Sequence, residues 1–135
     1  MIRKAQPADY PQLAQIFLDA RRQVFPWQIP VLSDFEQQTA GEIIYVAVEK
    51  KPVGFISIWE PDRFIHHLYV APQHQRCGIG KQLLDSLRQW LPLPYQLKCV
   101  AKNELARAFY TKHGWREISR GTSADGEYII LEYRL

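Results

Sequence analysis

Two cysteines in 135 residues, Cys77 and Cys99, are too few for a disulfide framework. Cys99 falls in an apolar run and reads as a small core hydrophobe. Cys77 falls in a loop where its backbone matters more than its thiol. No run of ~18 apolar residues is present, so no helical membrane span is expected. Met1-Ile2-Arg3-Lys4-Ala5 lacks the apolar stretch of a secretory leader. There is no low-complexity tract and no internal repeat. Charge of one sign is not concentrated anywhere. The net charge is only +3, and Arg3, Lys4, Arg21, Arg22, Lys50, Lys51, Arg76 and Lys81 are scattered. That argues against a nucleic-acid arm. The four histidines and two cysteines have no metal-ligand spacing. The absences together predict a cytoplasmic protein with no metal, no nucleic-acid partner and no membrane partner.

What is present is a 47% hydrophobic content, enough for one domain over residues 1–135 with a real core. The most informative stretch is Val70-Ala71-Pro72-Gln73-His74-Gln75-Arg76-Cys77-Gly78-Ile79-Gly80-Lys81. It leaves an apolar, strand-like run and opens an amphipathic helix. A strand, a glycine-containing loop and a helix N-terminus together make an anion site. Loop N–H groups and the orphan N–H groups of the first helical turn converge there, and the helix dipole adds roughly half a positive charge. Gly78 and Gly80 allow close backbone approach. Gln75, Arg76 and Lys81 add donors, and a diphosphate is the natural guest. The dinucleotide fingerprint G-x-G-x-x-G fails, because Leu83 stands at the third glycine. The Walker pattern fails too, because Gln75 stands where its first glycine belongs.

Along the chain, Met1 to Ala5 reads as a short strand and Pro7 to Val24 as a helix, with Leu13, Ile16, Phe17, Ala20 and Val24 at helical spacing. Phe25-Pro26-Trp27-Gln28-Ile29-Pro30 reads as a loop. Ser33-Asp34-Phe35-Glu36 reads as a capping box opening a short helix. Glu42 to Glu49 and Val53 to Glu60 read as strands joined by a turn, and Arg63 to Ala71 as a further strand. Ile79 to Trp90 reads as a helix, Tyr95 to Ala101 as a strand, and Trp115 to Arg120 and Glu127 to Tyr133 as closing strands. Asn103-Glu104-Leu105-Ala106-Arg107-Ala108-Phe109-Tyr110-Thr111-Lys112-His113-Gly114-Trp115 reads as a helix with Asn103 as its cap and Gly114 as its stop. Leu105, Ala106, Phe109 and Tyr110 are expected on its packed side.

Gln75-x-x-Gly78-x-Gly80, after Leu68-Tyr69-Val70 and Pro72, resembles the pyrophosphate loop of the GCN5-related N-acetyltransferases. The Asn103 to Trp115 segment resembles that family's second signature, with Trp115 in place of its final phenylalanine. The two motifs stand in the family's order, and the resemblance covers roughly Ile43 to Trp115 well. It implies an α/β (α+β) fold in which a mixed, twisted sheet is flanked by helices. It also implies that the central strands splay where Ala71 and Ala101 lie. The cosubstrate implied is acetyl-CoA, held by Leu68, Tyr69, Val70, Gln75, Arg76, Cys77, Gly78, Ile79, Gly80, Lys81, Asn103, Ala106, Phe109 and Tyr110. A backbone N–H within Leu68 to Val70 is expected to polarise the thioester carbonyl.

The implied activity is acetyl transfer to a primary amine, by direct attack in a ternary complex. Tyr110 matches the family's tyrosine that faces the sulfur; a phenol with its ordinary pKa near 10 can donate to the leaving thiolate. His66 lies nine positions before Gln75, where some members carry the base, and imidazole titrates in the useful range. Eleven positions before stands Phe64, which cannot serve. Strand alternation predicts that His66 shares a face with Leu68 and Val70, with His67 opposite as a packing residue. His74 and His113 are expected at the surface. Phe25, Trp27, Phe35 and Trp59 are candidates to line the acceptor pocket, where aromatics hold apolar or cationic groups. Asp19, Asp34, Glu36 and Glu60 are the acids available to an ammonium group.

A small-molecule amine is the first acceptor reading, with a peptide N-terminus or lysine as the alternative if the site is an open groove. A non-catalytic acetyl-CoA-binding sensor is the rival of a different class, and Tyr110 argues against it. Dimers are common in that family, so a homodimer is among the expected partners.

Overall fold

The computed structural model describes residues 1–135. Seven strands form one sheet: β1 (Ile2–Lys4), β2 (Ile43–Glu49), β3 (Lys51–Trp59), β4 (Phe64–Val70), β5 (Tyr95–Val100), β6 (Arg116–Ser123) and β7 (Gly126–Tyr133). Their order is β1-β2-β3-β4-β5-β7-β6. Every neighbouring pair is antiparallel except β4 and β5. Four helices flank the sheet: α1 (Tyr10–Val24), α2 (Asp34–Thr39), α3 (Ile79–Ser86) and α4 (Glu104–Lys112).

Strand alternation divides the buried side chains between two faces. On one face Leu13, Ile16 and Phe17 of α1 and Phe35 of α2 pack on Ile44, Val46, Phe55 and Ala71. The opposite face carries the larger cluster, in which Leu83 and Leu84 of α3 and Tyr110 of α4 meet Ile56, Ile58, Ile65, Leu97 and Leu131. The spacing of Leu13, Ile16 and Phe17 gives α1 a single apolar stripe, and that stripe fixes which side of the helix faces the sheet.

Several local expectations are corrected. Pro7–Asp9 forms a separate 3-10 turn ahead of α1, and the third helix ends at Ser86 in a 3-10 turn over Leu87–Gln89. The capping box at Ser33 does not form: Ser33 makes no side-chain cap, and Asp34 instead accepts from the Val31 N–H at 2.9 Å. Leu105 is 76% exposed and does not join the packed side of α4.

Two departures from regular sheet geometry position the site. The β4 and β5 strands pair only at Phe64↔Gln96 and Ile65↔Leu97, then separate. Across β3 and β4 the register runs Ser57↔His67 and then Ile58↔Ile65, so His66 is the unpaired residue of a β-bulge.

Candidate active site

The separation of β4 from β5 leaves backbone groups facing a gap. Ala71 donates its N–H to Val53 O at 2.7 Å, which makes that pair a hydrogen-bonded one. Antiparallel alternation then turns the N–H and C=O of Tyr69 toward β3, and those of Leu68 and Val70 toward the gap. Gln75 Nε2 donates to Val70 O at 3.1 Å, tying the following loop to this edge. Of the three residues expected here, Leu68 turns both backbone groups and Val70 its N–H to the gap, while the Val70 carbonyl is held by Gln75 and Tyr69 faces β3. The Tyr69 ring lies on the α1 face against Phe17 and Phe55. Unpaired peptide groups beside a missing strand fit an extended, amide-bearing chain such as pantetheine.

The loop that follows is shaped by two residues in the left-handed region, Arg76 (φ +64°) and Gly78 (φ +82°). Gln75, Arg76, Cys77 and Gly78 are exposed, and a Cβ placed on Gly78 would meet nothing within 4 Å. The first α3 bond runs from Gln82 N–H to Gly78 O, at 3.0 Å. The N–H groups of Ile79, Gly80 and Lys81 therefore lack helical partners, and they point out of the N-terminus toward the loop. That donor set fits a diphosphate. Ile79 itself is buried, and Lys81 lies along the helix on Asp85 at 2.7 Å. A Cβ on Gly80 would stand 3.3 Å from Cζ of Phe109, so this glycine sets how closely α3 and α4 approach.

At the start of α4, Asn103 Oδ1 accepts from the Ala106 N–H at 3.2 Å, the expected cap. Ala106 and Phe109 are half-buried against the larger core cluster. Tyr110 is buried, with Trp115 and Phe109 packed against its ring at 5.6 and 5.2 Å. Cys99 of β5 belongs to the same core cluster, and Tyr69 of β4 acts on the Tyr110 phenol electrostatically. Burial raises the Tyr110 pKa above the ordinary phenol value, and those two residues add to the effect.

The histidines depart from the strand-alternation expectation. The bulge brings His66 onto the same side as His67, and their rings stack with centroids 3.9 Å apart and planes tilted by 28°. His66 Nδ1 lies 2.6 Å from Oε2 of Glu42, whose other oxygen accepts from the Ser57 hydroxyl. A carboxylate only accepts, so Nδ1 carries a proton, and in the neutral ring Nε2 is then the nitrogen with the lone pair. The His67 pKa is pushed down to about 3, first by burial, then by His66 and Arg21. Phe17 packs edge-on to its ring at 5.1 Å.

Potential ligand atoms of Glu42, His66 and His67 all lie within 4.8 Å of one another. Two stacked imidazoles have lone pairs in nearly parallel planes, which converge far beyond the ~2 Å of a metal–nitrogen bond. The carboxylate is already committed to His66 and Ser57. This arrangement suits hydrogen bonding better than chelation.

The aromatic residues divide. Phe35 is 1% exposed and packs between Phe17 and Phe55 in the core under α1. Phe25 is buried under the Arg21 guanidinium at 4.4 Å, with Trp27 against its edge at 5.6 Å. Trp27 and Trp59 are exposed. Arg21 donates to Gln28 Oε1 at 3.0 Å, and Gln28 Nε2 donates to Asp125 at 2.7 Å. That chain spans the gap on its α1 face, from the helix beside β4 to the β6–β7 turn beyond β5.

None of Asp19, Asp34, Glu36 or Glu60 forms a bond to His66. The carboxylate that does is Glu42, which sequence reasoning missed. Its only local signal is an acid at the head of an apolar strand, just after Gly41. His74 is half-buried in the loop, and His113, also half-buried, packs on Phe109 at 4.6 Å.

Residues 10–115 match the sequence model of the acetyltransferase (GNAT) family. Over 123 residues the chain is 32% identical to the peptidyl-lysine N-acetyltransferase YiaC of Escherichia coli K12, covering 85% of this chain and 82% of that one. The fold superposes on a GCN5-related N-acetyltransferase from Rhodopseudomonas palustris with a TM-score of 0.81 and 22% identity, covering 100% and 95% of the two chains. It superposes on the PaiA N-acetyltransferase of Thermoplasma acidophilum, solved with coenzyme A, with a TM-score of 0.79 and 17% identity over 98% of each chain.

Proposed function

The chain belongs to the acetyltransferase (GNAT) family and is an acetyltransferase enzyme, and from that premise we propose that it moves the acetyl group of acetyl-CoA onto the primary amine of a small molecule. The observation that carries the reading is the gap between β4 and β5. Supporting it are the backbone groups of Leu68 and the N–H of Val70 turned to that gap, the loop that Gln75 ties to its edge, and Tyr110 of α4, on which Cys99 and Tyr69 act from the two strands.

Acetyl-CoA supplies an activated thioester. The loop and the first turn of α3 hold its diphosphate, Leu68 and Val70 hold its amide-bearing arm, and Asn103, Ala106 and Phe109 line the α4 side. A strand N–H is already oriented, so it stabilises negative charge on the carbonyl oxygen with little reorganisation. Burial raises the Tyr110 pKa, so the phenol stays protonated and its O–H can donate a hydrogen bond to the departing thiolate. His66 Nε2 takes the proton from the attacking amine. Attack is direct: Cys77 sits in the phosphate loop, and burial pushes the pKa of the Cys99 thiol up, which disfavours its nucleophilic thiolate form.

A small acceptor is favoured by the Arg21–Gln28–Asp125 chain, which crosses the gap on the acceptor side. One observation favours a peptide lysine instead. Trp27, Ile29, Val31 and Leu32 form an exposed apolar run beside that crossing, and YiaC, with 32% identity, is named for peptidyl-lysine. Acetyl-CoA-dependent thiol release across polyamines, amino acids, aminoglycosides and lysine peptides separates the two. Turnover on a free amine supports the first reading. Turnover confined to peptides replaces it with the second. Acetyl-CoA binding with no turnover on any amine leaves a sensor.

A further inference from the structure

Three residues far apart in sequence form a continuous hydrogen-bonded chain that runs from the core to the surface. Ser57 is fully buried, the Glu42 side chain is 6% exposed and the His66 side chain is 37% exposed. Ser57 donates to one oxygen of Glu42, and the other oxygen receives His66 Nδ1–H at 2.6 Å. Burying a carboxylate is costly unless its oxygens are satisfied, and here both are. The turn through Gly41 (φ +79°) starts β2, and the pairing of Ile44 with Ser57 sets the Glu42 side chain on the same face as Ser57. The bulge at His66 completes the chain by turning its ring toward that face.

We propose that Glu42 is a positioning residue for acetyl transfer: it fixes His66 in the tautomer whose Nε2 is bare and outward, while Ser57 fixes Glu42. The proposal rests on the reading of His66 as the base. The acceptor ammonium loses one N–H bond, its proton passes to Nε2, and the His66 imidazolium forms beside the Glu42 carboxylate. Glu42 gains no proton. The titratable groups facing this imidazole are Glu42 from the head of β2 and His67 from β4, and Arg21 of α1 acts on His67. Only Glu42 opposes the positive charge that develops. An unanchored imidazole would divide between two tautomers and several ring orientations, and only one combination serves the amine.

The test combines nitrogen NMR of the His66 imidazole with steady-state kinetics. In wild-type protein at pH 8, His66 shows a protonated Nδ1 and a bare Nε2. Glu42→Ala loses that single-tautomer signature and lowers kcat by about tenfold or more, within the ~10²–10⁴ of a general base. Its acetyl-CoA affinity is unchanged. Glu42→Asp keeps the carboxylate and recovers part of the rate. A wild-type spectrum with the proton on Nε2 overturns the proposal, even if Glu42→Ala fails to fold. So does a wild-type kcat in Glu42→Ala alongside an impaired His66→Gln. A wild-type kcat in His66→Gln removes His66 as the base, and this role of Glu42 with it.

Discussion

A Cβ on Gly80 would stand 3.3 Å from Cζ of Phe109. Gly80 opens α3 just after the exposed loop, and Phe109 precedes Tyr110 on α4. The two sequence motifs are therefore in contact, and the distance between them is set by one missing methyl. Gly80→Ala needs Phe109 to yield by a few tenths of an ångström, a small cost. Gly80→Val adds bulk that cannot be absorbed, and costs about 1–3 kcal/mol of stability. It also moves the loop against the gap, so acetyl-CoA affinity falls. Urea unfolding and calorimetric titration of both variants check the two effects.

Tyr110→Phe lowers kcat by about 10²-fold or more and leaves acetyl-CoA affinity unchanged. Because burial raises the Tyr110 pKa, the phenol stays protonated across the working range. The loss is then similar at every pH, and no limb of the rate profile disappears. Equal rates for the two proteins across that range would remove Tyr110 as the acid.

His67 links stability to pH. Its pKa is pushed down to about 3 in the fold, against about 6.5 in an unfolded chain. Below about pH 6.5 the unfolded state binds a proton that the fold does not, so stability falls as pH drops from there toward 3. By pH 5 this group alone costs about 2 kcal/mol. Urea unfolding at pH 7.5 and pH 5 should show that loss in the wild type and a flatter dependence in His67→Phe.

Gln28→Ala breaks the link between α1 and the β6–β7 turn. Its effect falls on the acceptor side, with a KM for the amine raised several-fold and an unchanged acetyl-CoA affinity. A change in acetyl-CoA affinity with no change in amine KM would place the link elsewhere in the reaction.

The loop and α4 were legible because each is a contiguous segment with a helix boundary, a glycine stop and a cap written locally. Asn103 shows this: its cap preference and its place at the head of the second motif agree with the cap it makes to Ala106. The strands around the gap were legible for the same reason, as short apolar runs between turns. The acceptor end was not. His66 and His67 stack because of a bulge, and a bulge depends on how β3 pairs with β4, which period-2 alternation does not encode. Glu42 meets His66 across 24 positions of sequence, so no local spacing reports the pair. An aromatic after a proline-rich loop, as Phe35 is, can face a pocket or the core, and sequence pattern does not choose. Here Phe17 and Phe55 draw it inward.

In the proposed reaction the gap between β4 and β5 receives acetyl-CoA. Backbone amide NMR during titration with acetyl-CoA tests it most directly. Saturable shifts are expected at Leu68, Val70 and Gln75 to Gly80, with Tyr110 following. Shifts confined to other surfaces, or no saturable change at Leu68 and Val70, would contradict it.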